Sequence, residues 1–206
     1  MGPGLLGCLR PRLQGNGGGR PARDAARAAD AGAGEGAGAR RRPGLNLEHY
    51  SEGIESLTLV EPDPHMTRQL REKLAQWRRS AEISVVEAPG EDLPFADASF
   101  DTVAVTLVLC TVPDPEATLE EIKRVLAPEG QLLFLEHVRA EDPGLARWQD
   151  RLERPWRFLG DGCHCNRDTV SAIRAAGFTL GDVERSSLPK APPIVRPLAV
   201  GSAGNR

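Results

Sequence analysis

The first 43 residues of this 206-residue chain contain no serine, threonine, valine, isoleucine, phenylalanine, tyrosine, tryptophan or lysine. A buried strand is not expected there, because β-branched and aromatic residues are the ones that favour strands. Glycine, alanine, arginine, proline and leucine make up most of the segment, and at most residues 22–31 form a short alanine-rich helix. This composition predicts a disordered segment.

Other absences limit the partners and the compartment. No run of about 18 apolar residues is present, so no transmembrane helix is expected, and the N-terminus lacks the sustained apolar core of a signal peptide. The formal net charge is −3 and no basic patch carries interleaved aromatics, which predicts no nucleic-acid partner. The four cysteines show no metal-type repeat, so we expect a reduced, cytoplasmic protein without a metal.

From Gly44 onward, strand-like runs alternate with helical ones. Strands that alternate with helices imply right-handed crossovers and a mostly parallel sheet. We therefore predict an α/β fold with a doubly wound sheet over residues 44–200, followed by a tail at 201–206. The expected strands lie at 56–61, 83–88, the start of 100–112 and 131–138, with an edge strand near the C-terminus, and the expected helices lie at 64–81, 114–130 (ending at Pro128-Glu129-Gly130) and 167–178.

The expected strand at 56–61, which corresponds to the second strand of a nucleotide-cofactor fold, ends in an acid, Glu61. In an open parallel sheet, ligands bind at the carboxyl ends of the strands, and an acid at this position commonly accepts the ribose hydroxyls of an adenosine cofactor. On position alone, a solvated carboxylate or a helix-capping acid is an equally good interpretation.

Motifs further along the chain favour the cofactor-binding interpretation of Glu61. The phrases "LPF", "SFD", "RVLAPEG" and "LEH" occur in an order and spacing that resemble class I S-adenosylmethionine (SAM)-dependent methyltransferases of the type-11 kind. "TLVLC" (Thr106–Cys110) and "DGC" (Asp161–Cys163) resemble the smaller branch that includes thiol methyltransferases. The resemblance covers about residues 44–200, and it implies SAM as the cofactor.

The resemblance also implies which residues hold SAM. Glu61 matches the ribose-binding acid, and Gly44 matches the last glycine of the cofactor loop, ahead of a helix N-terminus that would face the methionine carboxylate. The resemblance also implies that Pro62 forms an apolar wall beside the adenine, that Gly90 and Glu91 lie in the loop at the adenine edge, and that Thr106 lies beneath the sulfonium. The alternative interpretation of Glu91 is a solvated loop acid, and that of Thr106 is an ordinary strand residue.

The chain departs from the family before Gly44. The family has an apolar strand and a glycine loop there, whereas this chain has a look-alike at Gly34, Gly36 and Gly38 that no expected strand precedes, so we reject the look-alike. We hypothesise that residues 1–43 are an out-of-frame or wrongly started translation, which resequencing of the locus tests. Missing loop amides predict weak SAM binding, since each charge-assisted hydrogen bond contributes about 1.5–3 kcal/mol.

Methyl transfer from SAM is a direct in-line displacement, so the protein mainly aligns the acceptor and excludes water. His137 is the candidate base, and a strand-end histidine bonded to a loop carbonyl is its alternative. Residues 139–166 are expected to cover the acceptor, with Asp161 and His164 as its polar contacts. A packed connector with Trp156 and Phe158 in the core is the other interpretation of this stretch. Cys163-His164-Cys165 offers too few ligands for a closed zinc site.

Three functional classes follow. The first is transfer of a methyl group to a small acceptor, namely a thiol, an amine, a hydroxyl or a lipid-like molecule. The second is a degenerate methyltransferase fold that binds the cofactor weakly or not at all. The third, a nucleic-acid or protein methyltransferase, has no support in the sequence. Restoring a strand and glycine loop should revive binding in the first class only.

Overall fold

The computed structural model describes residues 6–11, 54–76 and 82–205. Within these residues the chain forms a seven-stranded sheet in the order β3-β2-β1-β4-β5-β7-β6. The strands are β1 Leu6–Pro11, β2 Ile54–Val60, β3 Glu82–Val86, β4 Phe100–Thr106, β5 Leu126–His137, β6 Thr179–Ser187 and β7 Pro197–Gly204.

Most of these strands point the same way. β2 pairs with β3, and β4 with β5, in parallel, whereas β1 is antiparallel to both of its neighbours and β7 is antiparallel to β5 and β6. Five of the seven described strands therefore share one direction, and their carboxyl ends meet at one edge of the sheet. The predicted doubly wound, mostly parallel α/β fold is confirmed.

Four α-helices connect the described strands, and an aspartate caps the N-terminus of each. Asp63, Asp114, Asp142 and Asp168 accept hydrogen bonds from backbone N–H groups of the first turn. Proline follows the first three of them, where its missing N–H costs no intrahelical bond. The helices are α1 Pro64–Leu74, α2 Pro115–Val125, α3 Pro143–Leu159 and α4 Thr169–Ala175, and a short 3₁₀ helix spans Pro193–Val195.

Helices cover both faces of the sheet. On one face, Leu119 and Ile122 of α2 and Ile173 of α4 are fully buried in a cluster with Val105 and Phe134 of the strands. On the other face, Leu135 and Leu198 pack with the cysteines that follow β4 and α3, against α3 and the 3₁₀ helix. Side chains alternate between faces along each strand, so neighbouring residues of β5 serve two separate apolar clusters.

The expectation that residues 1–43 contain no strand is wrong for Leu6–Pro11. β1 lies between β2 and β4 and pairs with both of them. The backbone hydrogen bonds that β1 makes with two neighbouring strands outweigh its weak strand propensity. The mistranslation hypothesis thereby loses its structural argument and keeps only the change in composition at Gly44. The rest of 1–43 and the glycines at 34, 36 and 38 lie outside the described residues.

The C-terminal residues are part of the sheet. β7 runs through Gly204 and pairs on both sides, so the expected edge strand and the tail beginning at 201 are both wrong. The side chain of Asn205 donates to the carbonyls of Lys123, Leu126 and Ala127 at 3.0–3.3 Å. These bonds fasten the end of the chain to the α2–β5 junction.

Two further elements differ from expectation. α2 ends at Val125 rather than at Pro128-Glu129-Gly130, because Leu126 leaves the helix to pair with Phe100 of β4. α3 was not expected, since Pro155 lies inside it. Phe158 is 87% exposed, so it is not a core residue. No helix among the described residues is both long and apolar enough to cross a membrane.

Candidate functional site at the carboxyl edge of the sheet

The carboxyl ends of β2, β4 and β5 define the candidate site. These strands end at Val60, Thr106 and His137. β1 runs the other way, so its first residue, Leu6, pairs with Val60 and Val105 at this edge. The chain therefore leaves β1 at the opposite edge of the sheet.

Glu61 is buried and oriented directly after β2. Glu61 is only 2% exposed, and its Oε1 accepts a hydrogen bond from the backbone N–H of Asp63 at 3.0 Å. Its own N–H donates to Val86 at 3.1 Å, and Thr67 Oγ1 donates to its carbonyl. Burial excludes the solvated alternative, and the helix cap is Asp63. The cofactor role of Glu61 remains a prediction.

The other expected cofactor residues are spread along the same edge. Pro62 and Thr106 are half-buried beside the ends of β2 and β4. Gly90 is buried against α2, where a Cβ would lie 3.1 Å from a methyl carbon of Thr118. Glu91 accepts from the N–H of Asp114 at 3.3 Å, which joins its loop to the start of α2. Gly44 lies outside the described residues.

Glu136 organises the loop after β4, and the sequence analysis assigned it no role. Its carboxylate is fully buried and accepts hydrogen bonds from the backbone N–H groups of Val108, Leu109 and Cys110 at 2.8–3.0 Å. Burial raises the pKa of Glu136 to about 7, although the three amides act in the opposite direction. A charged residue inside the apolar run "LLFLEHV" was the available signal, because such residues are rarely buried without partners.

His137 lies between two cysteines that are distant in sequence. Nδ1 is 3.3 Å from Cys163 Sγ and 3.9 Å from Cys110 Sγ, whereas Nε2 is buried without a hydrogen-bond partner in the described part of the chain. Hydrogen bonds from Cys110 and His137 lower the pKa of Cys163 to about 5, and hydrogen bonding and burial raise that of Cys110. Cys163 therefore has two potential metal ligands from distant segments beside it, which a count of ligands within Cys163-His164-Cys165 leaves out.

The two expected acceptor contacts have different surroundings. His164 is half-buried, its N–H donates to the carbonyl of Cys110 at 2.7 Å, and its Nδ1 lies 2.8 Å from a carboxylate oxygen of Glu153 on α3. Burial lowers the pKa of His164. Asp161 has a φ of 55°, in the left-handed region of the turn after α3. Contact of either residue with an acceptor remains a prediction.

A cavity of about 360 Å³ opens where β5 ends. Its lining includes residues 138–142 and Leu145, mostly from the segment expected to cover the acceptor, residues 185–187 of β6, and residues 196–198 around the start of β7. Neither Asp161 nor His164 lines this cavity.

Two comparisons with known proteins agree on one family, and a third agrees in fold. A family model described as a methyltransferase domain matches residues 29–134, which is 106 of 206 residues. Human thiol S-methyltransferase TMT1B is 39% identical over 161 residues, covering 77% of this chain and 63% of that protein. Human thiol S-methyltransferase TMT1A is 35% identical over 162 residues, covering 78% of this chain and 66% of that protein. The chain thus spans less than two thirds of both relatives.

The solved structures agree in fold. A SAM-dependent methyltransferase from Methanosarcina mazei superposes with a TM-score of 0.60 at 16% identity, covering 72% of this chain and 81% of that chain. At this identity the likeness concerns the fold alone.

Proposed function

Because the chain belongs to the methyltransferase-domain family, we propose that it transfers the methyl group of SAM to the sulfur of a small thiol. The observation that carries the proposal is Glu61, a buried and oriented carboxylate at the end of β2. The identity to two thiol S-methyltransferases supports the choice of a thiol over an amine, a hydroxyl or a lipid-like acceptor.

The residues at the carboxyl edge fit the adenosine half of SAM. In this proposal Glu61 accepts the ribose hydroxyls, and Pro62 and the loop at Gly90 and Glu91 border the adenine. Thr106, at the end of β4, lies beneath the reacting centre. SAM supplies an activated methyl group when it is bound, so these residues hold and align SAM and do not need to activate the methyl group.

The transfer is a single displacement at carbon. The acceptor sulfur forms a bond to the methyl carbon while the bond from that carbon to the sulfonium breaks, and S-adenosylhomocysteine leaves. The thiol proton goes to solvent, because a thiol with a pKa of about 8.5 is already a few per cent ionised at neutral pH. A base role of His137 remains a prediction, and Nε2 is the nitrogen able to take a proton, since Nδ1 contacts the cysteines.

Titration calorimetry with SAM tests the cofactor half of the proposal. Glu61→Ala should weaken SAM binding at least about tenfold, because hydrogen bonds to a charged group contribute about 1.5–3 kcal/mol each. Glu87→Ala is the matched control, since Glu87 is an exposed acid that follows β3. Equal affinities of wild type and Glu61→Ala would place the adenosine site elsewhere.

A degenerate scaffold is the second candidate, and the direction of β1 favours it. β1 is antiparallel to β2 and β4, so the chain leaves it at the edge opposite the candidate site, whereas a first strand that is parallel to them would end at that site. Wild-type protein that binds no SAM would support this candidate, and a variant with a parallel first strand and glycine loop would then test Glu61.

A methyl-transfer screen with labelled SAM tests the acceptor. Alkyl thiols, amines and phenols are offered to the full chain under the same conditions. Methylation of thiols is the expected result, whereas methylation of amines alone would rule out the thiol and leave methyl transfer standing. An unchanged rate of His137→Ala at saturating acceptor across pH would make His137 structural.

A further inference from the structure

Three segments that are far apart in sequence bring Cys110, His137 and Cys163 together. Glu136 bonds the N–H of Cys110, and this fixes the loop after β4 beside the end of β5, where His137 follows. The N–H of His164 donates to the carbonyl of Cys110 at 2.7 Å, which brings Cys163 to the same place.

Arg167 adds a second link between these segments. Its guanidinium donates to the carbonyls of Leu109 and Val112 at 2.7 and 2.8 Å. The Glu136 and Arg167 side chains and one backbone hydrogen bond therefore set the positions of the three segments, so the cluster is preformed.

The spacing of the three donor atoms matches a tetrahedral metal ion. Zinc bonds of about 2.0–2.1 Å to nitrogen and about 2.3 Å to sulfur, at tetrahedral angles, place the nitrogen and a sulfur roughly 3.6 Å apart. The two observed distances from His137 Nδ1, 3.3 and 3.9 Å, lie on either side of that value. All three donor atoms lie within 4.8 Å of one another.

The charge and softness of the donors select the metal. Two thiolates balance the charge of a divalent ion, which matters because Cys110 and Cys163 are 0% and 4% exposed and an unbalanced buried charge is costly. Sulfur with imidazole nitrogen suits zinc, whereas magnesium and calcium require oxygen ligands.

We propose that Cys110 Sγ, His137 Nδ1 and Cys163 Sγ bind one Zn²⁺ ion, with a water molecule in the fourth position. Three protein ligands and one solvent ligand are a common arrangement for zinc in proteins. The ion would fasten the loop after β4, the end of β5 and the α3–α4 loop. With Nδ1 on the metal, the ring proton stays on Nε2, so this site and a base role of His137 exclude each other.

Metal analysis of the full chain, purified under reducing conditions without chelators, is the first test. Wild type should carry about one zinc per chain, and Cys110→Ser and Cys163→Ser should lose most of it. Cys165→Ala is the matched control, because Cys165 is buried in the same apolar cluster but is not one of the three clustered donors. Circular dichroism of each variant separates loss of metal from loss of fold.

Cobalt titration of the metal-free wild type tests the ligands without any substitution. Thiolate-to-cobalt charge-transfer bands and the visible bands of tetrahedral Co²⁺ are expected, and zinc should abolish both. Wild type that takes up neither metal, or binds cobalt without a thiolate band, would overturn the proposal. Zinc retained by Cys163→Ser, or lost from Cys165→Ala as completely as from Cys163→Ser, would overturn the assignment of these three ligands.

Discussion

At the scale of single residues, replacement of Glu136 should lower the stability of the fold most. Its two oxygens accept three backbone N–H groups in a fully buried position. Glutamine has the same shape, but its amide nitrogen would point donor hydrogens at a backbone donor and leave that donor unsatisfied. We expect Glu136→Gln to lower the free energy of unfolding by about 2–4 kcal/mol, measured by urea denaturation.

Glu82→Gln serves as the control for that measurement. Glu82 is an exposed acid at the start of β3, and its replacement should change stability by less than about 0.5 kcal/mol. Equal effects of the two substitutions would contradict the role given to Glu136.

The sequence predicts individual residues of the site better than their combinations. Glu61 could be named because it is an acid directly after a strand, a position defined by local pattern alone. The cluster around His137 could not be named, because its cysteines lie 27 and 26 residues away along the chain. Only the pairing of β4 with β5, and the fold of the loop after α3, brings them within contact.

At the scale of elements, α2 holds the loop that carries Gly90 and Glu91. Glu121 accepts from the N–H of Leu93 at 2.8 Å, and Arg124 donates to the carbonyls of Leu93 and Phe95 at 2.9 and 2.7 Å. The two side chains also bond each other at 2.7 Å. The helix therefore sets the position of the loop expected at the adenine.

The bond to Arg124 lowers the pKa of Glu121 from its ordinary value of 4.5. A lowered pKa means that the folded state prefers the charged carboxylate, so this stabilisation is present above about pH 4.5 and is lost as the pH falls further. Glu121→Gln should cost about 1 kcal/mol at neutral pH and progressively less at acid pH. Urea denaturation of both proteins from about pH 7 to about pH 3 checks this, and a pH-independent difference would contradict it.

Local signals at the helix starts explain why the helices were largely foreseeable. Aspartate followed by proline begins α1, α2 and α3, and the aspartate side chain caps each helix in the structure. The first two of these helices were predicted. α3 was missed because Pro155 indicates a break, although a proline inside a helix removes only one hydrogen bond of the many that a 17-residue helix has.

At the scale of the whole molecule, the C-terminal residues join β5 to β6 by forming the strand between them, β7. Deleting residues 201–206 removes the half of β7 that pairs with residues 131–134 of β5, together with the three bonds of Asn205. We expect a loss of several kcal/mol or of cooperative unfolding altogether, because two strands are left with unpaired backbone groups. Deleting Arg206 alone is the control and should leave thermal unfolding unchanged. Similar unfolding curves would mean that the tail is dispensable.

The two reversed strands are the part of the topology that sequence patterns did not reveal. β1 and β7 contain glycine and proline, few β-branched residues and no regular alternation of polar and apolar positions. Their places depend on neighbours with unpaired backbone groups, and such non-local demands override propensity in strands. The strands β2 to β5 were foreseeable because each contains an apolar run next to a capped helix or a turn, whereas the largely polar β6 was not predicted.

β1 and β7 run in the same direction, opposite to the other five described strands, and this decides how the protein should be labelled. β1 begins at the carboxyl edge with Leu6, whereas β7 ends at the other edge, where Gly204 pairs with Gln131. A fluorescent label attached at the start of β1 would lie at the edge that carries the candidate site. A label attached after Asn205 would lie at the opposite edge, and it needs a flexible spacer because the Asn205 side chain bonds three carbonyls there. Binding and turnover assays are therefore best run with the label at the end of β7.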